Sequence, residues 1–253
     1  MGALNEEKRL PRAIRSILDQ TCRDFELLIV NDGSTDGTPR VLEEFAKQDG
    51  RVRWFQNASR QGLGGSLNRC AGEARGEFLA RMDADDVSLP SRLEEQVCFL
   101  DAHPEVDIVG TAAYKVDDTG KITGTMSAEP DHDRMVRRIY RRNPFIHPSV
   151  MMRRVTFARL GGYDESLPLG CEDYDLWLRA SRSCRFANLS KPLLMYTSPG
   201  VVNWARAANH SRAIFRSIRK ERGPIRNYYY ALRPILSVPL DCCRHIRLRL
   251  FGV

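Results

Sequence analysis

The stretch FELLIVNDGSTDGTPR, residues 25–40, decides the fold. Its first six residues form a short apolar run, the pattern of a strand buried on both faces. NDGSTDGT at 31–38 follows with no spacer, so Asp32 stands at a strand end, and Gly33 and Gly37 permit tight turning beside a ligand. Pro39 then takes a first-turn position in a second helix. A buried strand, an acidic turn and a helix make one repeat of a parallel sheet with helices packed on it.

The flanking segments continue the alternation. Upstream, Leu10, Ala13, Ile14, Ile17 and Leu18 follow the 3.6-residue period of a one-sided helix. Downstream, strand signals recur at 52–55 and 78–82, and a helix over 91–102 carries Leu93, Val97 and Leu100 on one face. Residues 107–115 and 121–125, joined by DDTG, read as a hairpin. The second half is less regular. It holds a helix over 131–141, the segment NPFIHPSVMMRR, a helix over 172–181 and a basic helical stretch over 203–222. The expected class is α/β: a mostly parallel sheet flanked by helices in residues 1–202, then a basic, partly amphipathic helical extension in 203–253.

The front of that sheet looks short. A sheet of this type starts with an apolar strand, yet the first helix begins only a few residues from Met1. Losing a strand removes four or five buried side chains, each worth roughly 1.5–3 kcal/mol. That rivals the net stability of a whole domain, about 5–15 kcal/mol. The expectation is that Met1 is an internal residue of that strand and that the natural chain starts upstream.

Bulk properties exclude several classes. The chain has 253 residues, 42% hydrophobic, enough for one large domain. Its seven cysteines contain no CxxC pair, which fits reduced thiols in a cytosolic protein and not a disulfide framework or a zinc site. No secretory leader is visible and no run of 18 apolar residues occurs. The formal charge of +7 is uneven. From Asn203 onward eleven lysines and arginines face Glu221 and Asp241, a net +9, which leaves −2 for residues 1–202. In the tail, basic residues interleave with Ile214, Phe215, Ile218 and a Tyr228–Tyr229–Tyr230 cluster. That pattern suits peripheral docking on an anionic membrane surface at its cytoplasmic face. Nucleic-acid binding is not expected, because no recognition module accompanies the charge.

Three acidic segments carry the chemistry. Asp83, Asp85 and Asp86 directly follow the strand FLARM, and in open α/β sheets ligands gather at the carboxyl ends of strands. Three carboxylates in four residues repel one another unless a cation is bound, and hard oxygen donors suit Mg²⁺ or Mn²⁺ bridging to phosphates. The plainer reading is a solvated loop with Asp86 or Ser88 capping the next helix. Asp32 could accept hydrogen bonds from a base or ribose, or its turn could simply cap the second helix. GGYDESLPLGCEDYDLWLRA at 161–180 places Glu172, Asp173 and Asp175 in a helix's first turn, where acids are ordinarily stabilising. His147, among apolar neighbours, reads as a hydrogen-bonded structural residue. GLGG at 62–65 lacks the Lys-Ser/Thr of a P-loop.

Together these segments resemble the family 2 inverting glycosyltransferases of the GT-A fold, a Rossmann-like nucleotide-binding architecture. The resemblance runs through LNEEKRLPRAIRSILDQTCRDFELLIVNDGSTDGT, GEFLARMDADD, PSRLEEQVCFLDAHPEVDIVG, NPFIHPSVMMRR and GGYDESLPLGCEDYDLWLRA, in the family's order over about residues 4–197. It implies that Glu6 and Asp32 belong to the nucleotide-binding loops, Asp32 against the base, typically uracil. It implies that Asp83 holds the ribose or metal region, that Asp85 ligates Mn²⁺ or Mg²⁺ on the diphosphate, and that Asp173, with Glu172 beside it, is the catalytic base. The family's Pro-x-Tyr-Asn context reads Gly2-Ala3-Leu4-Asn5 here, so the aromatic partner for the base is missing. The Gln-x-x-Arg-Trp motif of processive relatives is also absent, which favours a single transfer. The implied activity moves a sugar from a nucleotide-diphosphate donor to a glycan or lipid-linked acceptor, in bacterial surface polysaccharide or glycolipid assembly. The competing reading is a catalytically degenerate nucleotide-sugar-binding or scaffold protein.

Overall fold

A computed structural model describes residues 1–140, 142–167 and 171–197 of the chain. The expected helix over 203–222 and its membrane-docking face lie outside these residues. Strand β1 (Gly2–Ala3) opens the fold and is followed by α1 (Leu10–Leu18), β2 (Leu27–Asn31), α2 (Thr38–Gln48) and β3 (Val52–Gln56). These three strands form a parallel sheet in the order β1-β2-β3. Leu27 and Ile29 pack under Leu10, Ile14, Leu42 and Phe45 of the two helices. Leu28 and Val30 face the other way, onto Cys70 of α3 (Gly62–Glu73). Both faces of β2 are therefore covered, which is why its sequence does not alternate.

The front strand is the two-residue β1. The Val30 amide donates to the Met1 carbonyl at 2.9 Å and the Asp32 amide to the Ala3 carbonyl at 2.9 Å. Met1 is 8% exposed.

The remainder is β4 (Phe78–Ala80), β5 (Val87–Ser88), α4 (Arg92–Ala102), β6 (Ile108–Val116), β7 (Ile122–Met126), α5 (His132–Arg138), β8 (Met151–Arg153), α6 (Arg154–Arg159), α7 (Glu172–Ala180) and β9 (Phe186–Thr197). Their strands form a second sheet, β4-β8-β6-β9-β5, with β7 as the hairpin partner of β6. Here the expectation of mostly parallel pairing is corrected. Only β6 and β9 run parallel, and the β4–β8, β6–β8, β6–β7 and β5–β9 pairs are antiparallel. Single-helix crossovers between neighbouring parallel strands occur only early in the chain; later only the long connection from β6 to β9 returns a strand in parallel, and the other strands pair antiparallel.

The main core lies between this sheet and α7. Trp177, wholly buried, meets Phe145 edge-on at 4.9 Å, and Phe145 meets Phe186 at 5.1 Å. Among the described residues, Cys22, Cys70, Cys98, Cys171 and Cys184 are free thiols, and no helix is long and apolar enough to cross a membrane.

Candidate active site

The acidic turn at 83–86 is carried out of β4 and held on three sides. The Arg81 amide continues the ladder by donating to the Val150 carbonyl at 2.8 Å, Met82 is buried, and the chain then turns at Asp83. Beyond the turn β5 pairs with β9, whose last residue clamps the loop. The Thr197 amide donates to Asp86 Oδ1 at 2.8 Å and its hydroxyl to the Asp85 carbonyl at 2.7 Å. Neither Asp86 nor Ser88 caps α4, whose N-cap is Ser91. The plainer reading of this loop as a helix cap is thereby removed.

Oxygens of Asp83, Asp85 and Asp86 lie within 4.8 Å of one another. Asp86 is 1% exposed, and its Oδ2 has no hydrogen-bond partner among the described residues. A buried orphan carboxylate oxygen is costly, and its cost is relieved by a bound cation or a proton. Burial and the neighbouring Asp83 push both Asp85 and Asp86 above the usual carboxylate range. Glu6, on the loop after β1, is drawn into the same field: burial and then Asp85 raise its carboxyl to about 7. The donor set is all hard oxygen, so these residues fit a divalent cation of the magnesium or manganese type.

Cationic side chains underlie the cluster. Arg81, 8% exposed, pairs with Asp83 at 2.5 Å. Arg92, fully buried, donates from Nη2 to the Arg81 carbonyl at 2.7 Å and from Nε to Gln96 at 3.0 Å. Arg9 stands 3.9 Å from Asp85 at the rim. Sequence reasoning missed Arg81, although a charged residue inside the apolar FLARM run is a visible signal that something pairs with it.

Asp32 has a different setting. It is 4% exposed; Oδ1 accepts from Asn57 Nδ2 at 2.8 Å and from the Gln61 amide at 2.7 Å, and Oδ2 accepts from the Gly62 amide at 2.8 Å. It therefore seats the start of α3, where GLGG turns into the helix, and not the start of α2. That task falls to Asp36, which accepts from the Thr38 amide at 3.0 Å. The loop after β1 is stapled to the same turn. The Glu6 amide donates to Thr38 Oγ1 at 2.9 Å, and Asn5, in the left-handed region at φ 57°, accepts from the Thr35 amide at 2.8 Å.

The third acidic segment opens α7. Asp175 is buried and pairs with Arg179 at 2.8 Å; Arg179 also holds the Leu160 and Gly162 carbonyls, so this acid is structural. Glu172, 4% exposed, accepts from the Cys171 amide at 2.8 Å. Asp173 is half-buried; its Oδ1 accepts from the Tyr174 amide and its Oδ2 from Asn143 Nδ2, each at 2.7 Å. The amide of Asn143 is oriented in turn, since its Oδ1 accepts from the Phe145 backbone at 3.1 Å. Nothing in the sequence singled out Asn143.

Tyr163 links the acidic sets. Its buried ring is held by His147 Nε2, 2.9 Å from the hydroxyl, and burial keeps that hydroxyl protonated while the charges of Asp173, Glu172 and Asp83 all act on it. Burial holds His147 well below its ordinary range, hence neutral, as expected of a structural histidine. Gly64, in the first turn of α3, faces both Tyr163 and Glu172 with room for only an ordinary contact. Glu6, Asp83 and Asp85 thus share one field, Asp83, Glu172 and Asp173 all act on Tyr163, and Asp32 holds the start of α3.

The comparisons with known proteins place this α/β fold in the GT-A class of glycosyltransferases. The Glycosyl transferase family 2 model matches residues 1–161, and the chain belongs to that family. It is 33% identical over 245 residues to the putative glycosyltransferase EpsE of Bacillus subtilis, covering 93% of this chain and 86% of the relative. It is 34% identical over 200 residues to the O-antigen biosynthesis glycosyltransferase WbnJ of Escherichia coli, covering 78% and 77%. Among solved structures, S. aureus TarS 1-349 in complex with UDP-GlcNAc superposes with a TM-score of 0.74 at 20% identity, covering 98% of this chain and 75% of that one. The mannosyltransferase PcManGT of Pyrobaculum calidifontis, in complex with GDP-Man and Mn²⁺, gives 0.66 at 18% identity, covering 99% and 79%.

Proposed function

We propose that this glycosyltransferase moves a sugar from a nucleoside-diphosphate donor, a uridine diphosphate sugar, to an acceptor hydroxyl with inversion at the anomeric carbon. The observation that carries the reading is the buried, unpartnered Asp86 oxygen beside Asp83 and Asp85. Those three side chains would hold Mn²⁺ or Mg²⁺, which when bound neutralises charge developing on the departing diphosphate. Glu6 and the stapled 31–38 turn border the nucleotide. Asp32 acts mainly by fixing α3, and its remaining lone pairs are available to the base.

Asp173 accepts the proton of the acceptor hydroxyl as that oxygen bonds to the anomeric carbon. The carbon–oxygen bond to the diphosphate breaks on the opposite face. Asn143 keeps one Asp173 oxygen turned into position, and buried Glu172 and Tyr163 keep water from that side. The donor class is supported by the solved neighbours with UDP-GlcNAc and GDP-Man. A role in surface polysaccharide or glycolipid assembly is supported by relatives named for O-antigen and amylovoran biosynthesis. In that setting residues 1–202 form the catalytic domain, and the basic extension docks the enzyme on the cytoplasmic face of the membrane.

The test is a donor screen with Mn²⁺ that reads nucleoside diphosphate release with and without acceptor extract, on the native chain and on Asp173→Asn. Acceptor-dependent release by the native chain, reduced about 10²–10⁴-fold in the variant with donor affinity intact, supports the assignment. Donor binding with no transfer by either protein would favour the degenerate binding protein.

A further inference from the structure

A cavity of about 210 Å³ opens beside Asp173, walled by α5, by residues 126–129 and by residues 142–146. Asn143 lines it and also donates to Asp173 Oδ2 at 2.7 Å, so the cavity and the proposed base share one side chain. Its volume lies below the roughly 300–1,000 Å³ of a site for a whole ligand, which is the scale of a subsite. Buried Asn188 ties two of the walls together: its Nδ2 donates to the Glu129 carbonyl at 2.8 Å and to the Pro144 carbonyl at 3.1 Å. None of the clustered aspartates is among the described residues that line it.

Its charge runs against that of the domain around it. Residues 134–142 read RMVRRIYRR, five arginines and no acid, within a stretch, 1–202, whose net charge is −2. Arg134, Arg138 and Arg142 all reach the cavity, and Glu129 is the acid among its described lining residues. Glu129 stands 4.0 Å from Arg134 and 3.7 Å from Arg138, the outer limit of ion pairing, and both guanidinium side chains stay exposed. Arg142 donates from Nη2 to the Ser127 carbonyl at 3.1 Å. A guanidinium carries five N–H donors, so the fold leaves most of these unspent. Cations at a helix C-terminus are ordinarily stabilising, which accounts for Arg138. It does not account for Arg134 in the first turn of α5, or for Arg142 beyond its end. Beneath the arginines, Met135 and Phe145 form a buried apolar floor.

We propose that this cavity is an acceptor subsite for an anionic group, a phosphate or a carboxylate, carried beside the sugar that receives the transfer. The proposal rests on the transferase reading and adds to it the chemical class of the acceptor. The planar fork of arginine matches the oxygens of either group bidentately, which lysine does not. The apolar floor takes a carbon face of the sugar or of its linker. With the anion seated, the neighbouring hydroxyl is presented to Asp173 past Asn143, so contact with a non-reacting group sets the orientation of the reacting one. Neutral glycans lack this anchor and should be poor acceptors.

The experiment compares the full chain with its Arg134→Gln/Arg138→Gln variant, in UDP and Mn²⁺. A panel of sugars is supplied, each as the neutral methyl glycoside, the glycosyl phosphate and the methyl glycosiduronate, and ligand-observed NMR reads binding without turnover. The native chain is expected to bind one anionic series about tenfold more tightly than the matched neutral glycosides, the scale of a hydrogen bond to a charged group. The variant should lose that margin at unchanged Tm, since both arginines are exposed. Which series responds distinguishes phosphate from carboxylate. In transfer assays the variant should show a raised KM for the anionic acceptor, with kcat and donor affinity held. Equal binding of anionic and neutral sugars by the native chain, or none, overturns the inference, and so does a margin that survives in the variant. A chain that holds the anionic sugars yet transfers nothing contradicts the proposed activity and leaves the subsite standing.

Discussion

Two acidic turns leave two strands of this molecule, and they do opposite things. Asp32, after β2, has three protein donors on its carboxylate and holds a helix in place. Asp83, Asp85 and Asp86, after β4, repel one another, and one of their oxygens is buried with no partner among the described residues. Both turns sit at the carboxyl ends of strands and both are rich in aspartate. The difference is satisfaction: both oxygens of Asp32 accept from the fold, whereas the second cluster keeps one buried oxygen, Asp86 Oδ2, that no described donor reaches.

Substitutions in the two turns should therefore separate cleanly. The largest effect is expected at the unsatisfied one. Asp85→Asn should lower turnover about 10²–10³-fold, the scale of losing one electrostatic stabiliser, and abolish Mn²⁺-dependent donor binding in calorimetry. Its Tm without cation should hold or rise, because a like charge has been removed. A lower Tm with turnover intact would erase the contrast.

Asp32→Ala should do the reverse. Stranding two backbone amides and the Asn57 side chain costs on the order of 2–4 kcal/mol, read as a fall in denaturation midpoint. Turnover of the folded fraction should change far less than in Asp85→Asn. Asn143→Ala, which releases one Asp173 oxygen, should cost about tenfold in turnover, equivalent to one charge-assisted hydrogen bond. Tm and donor affinity should be almost unmoved.

The smallest effect sharpens the comparison through pH. The Glu6 carboxyl is raised from 4.5 to about 7 in the fold, so the folded protein holds the extra proton across that interval. The Glu6 contribution to stability in a chelator should be fully present below about pH 4.5 and be lost as pH rises through 7, since the unfolded chain binds fewer protons there. Asp85 and Asp86, also raised, act with the same sign. Glu6 is partly solvated, so the change should be only a few degrees in Tm. Divalent cation should offset it, with affinity rising over the same window as protons are released. A Tm that climbs from pH 5 to 7.5 in chelator would contradict the raised carboxyls.

Much of this was legible in the sequence, and the reasons are local. Leu10, Ala13, Ile14 and Ile17 are buried as their spacing predicted, because helical periodicity is a property of neighbours in the chain. The apolar 25–30 run and the 107–125 hairpin read correctly within a residue or two for the same reason. The mixed pairing of the second sheet was not legible, since strand direction there depends on irregular connections such as the one through His147. Asn143 was hidden because its meaning depends on an aspartate thirty residues away.

The α/β class and the early alternation of α1, β2, α2 and β3 were determined by the sequence alone, because each depends on residue type and short-range spacing. Which carboxylates are spent and which are free was decided only in three dimensions. Asp32 meets donors from Asn57, Gln61 and Gly62, whereas Asp86 Oδ2 meets none among the described residues, and hydrogen-bond satisfaction depends on which distant segments the fold brings within about 3 Å.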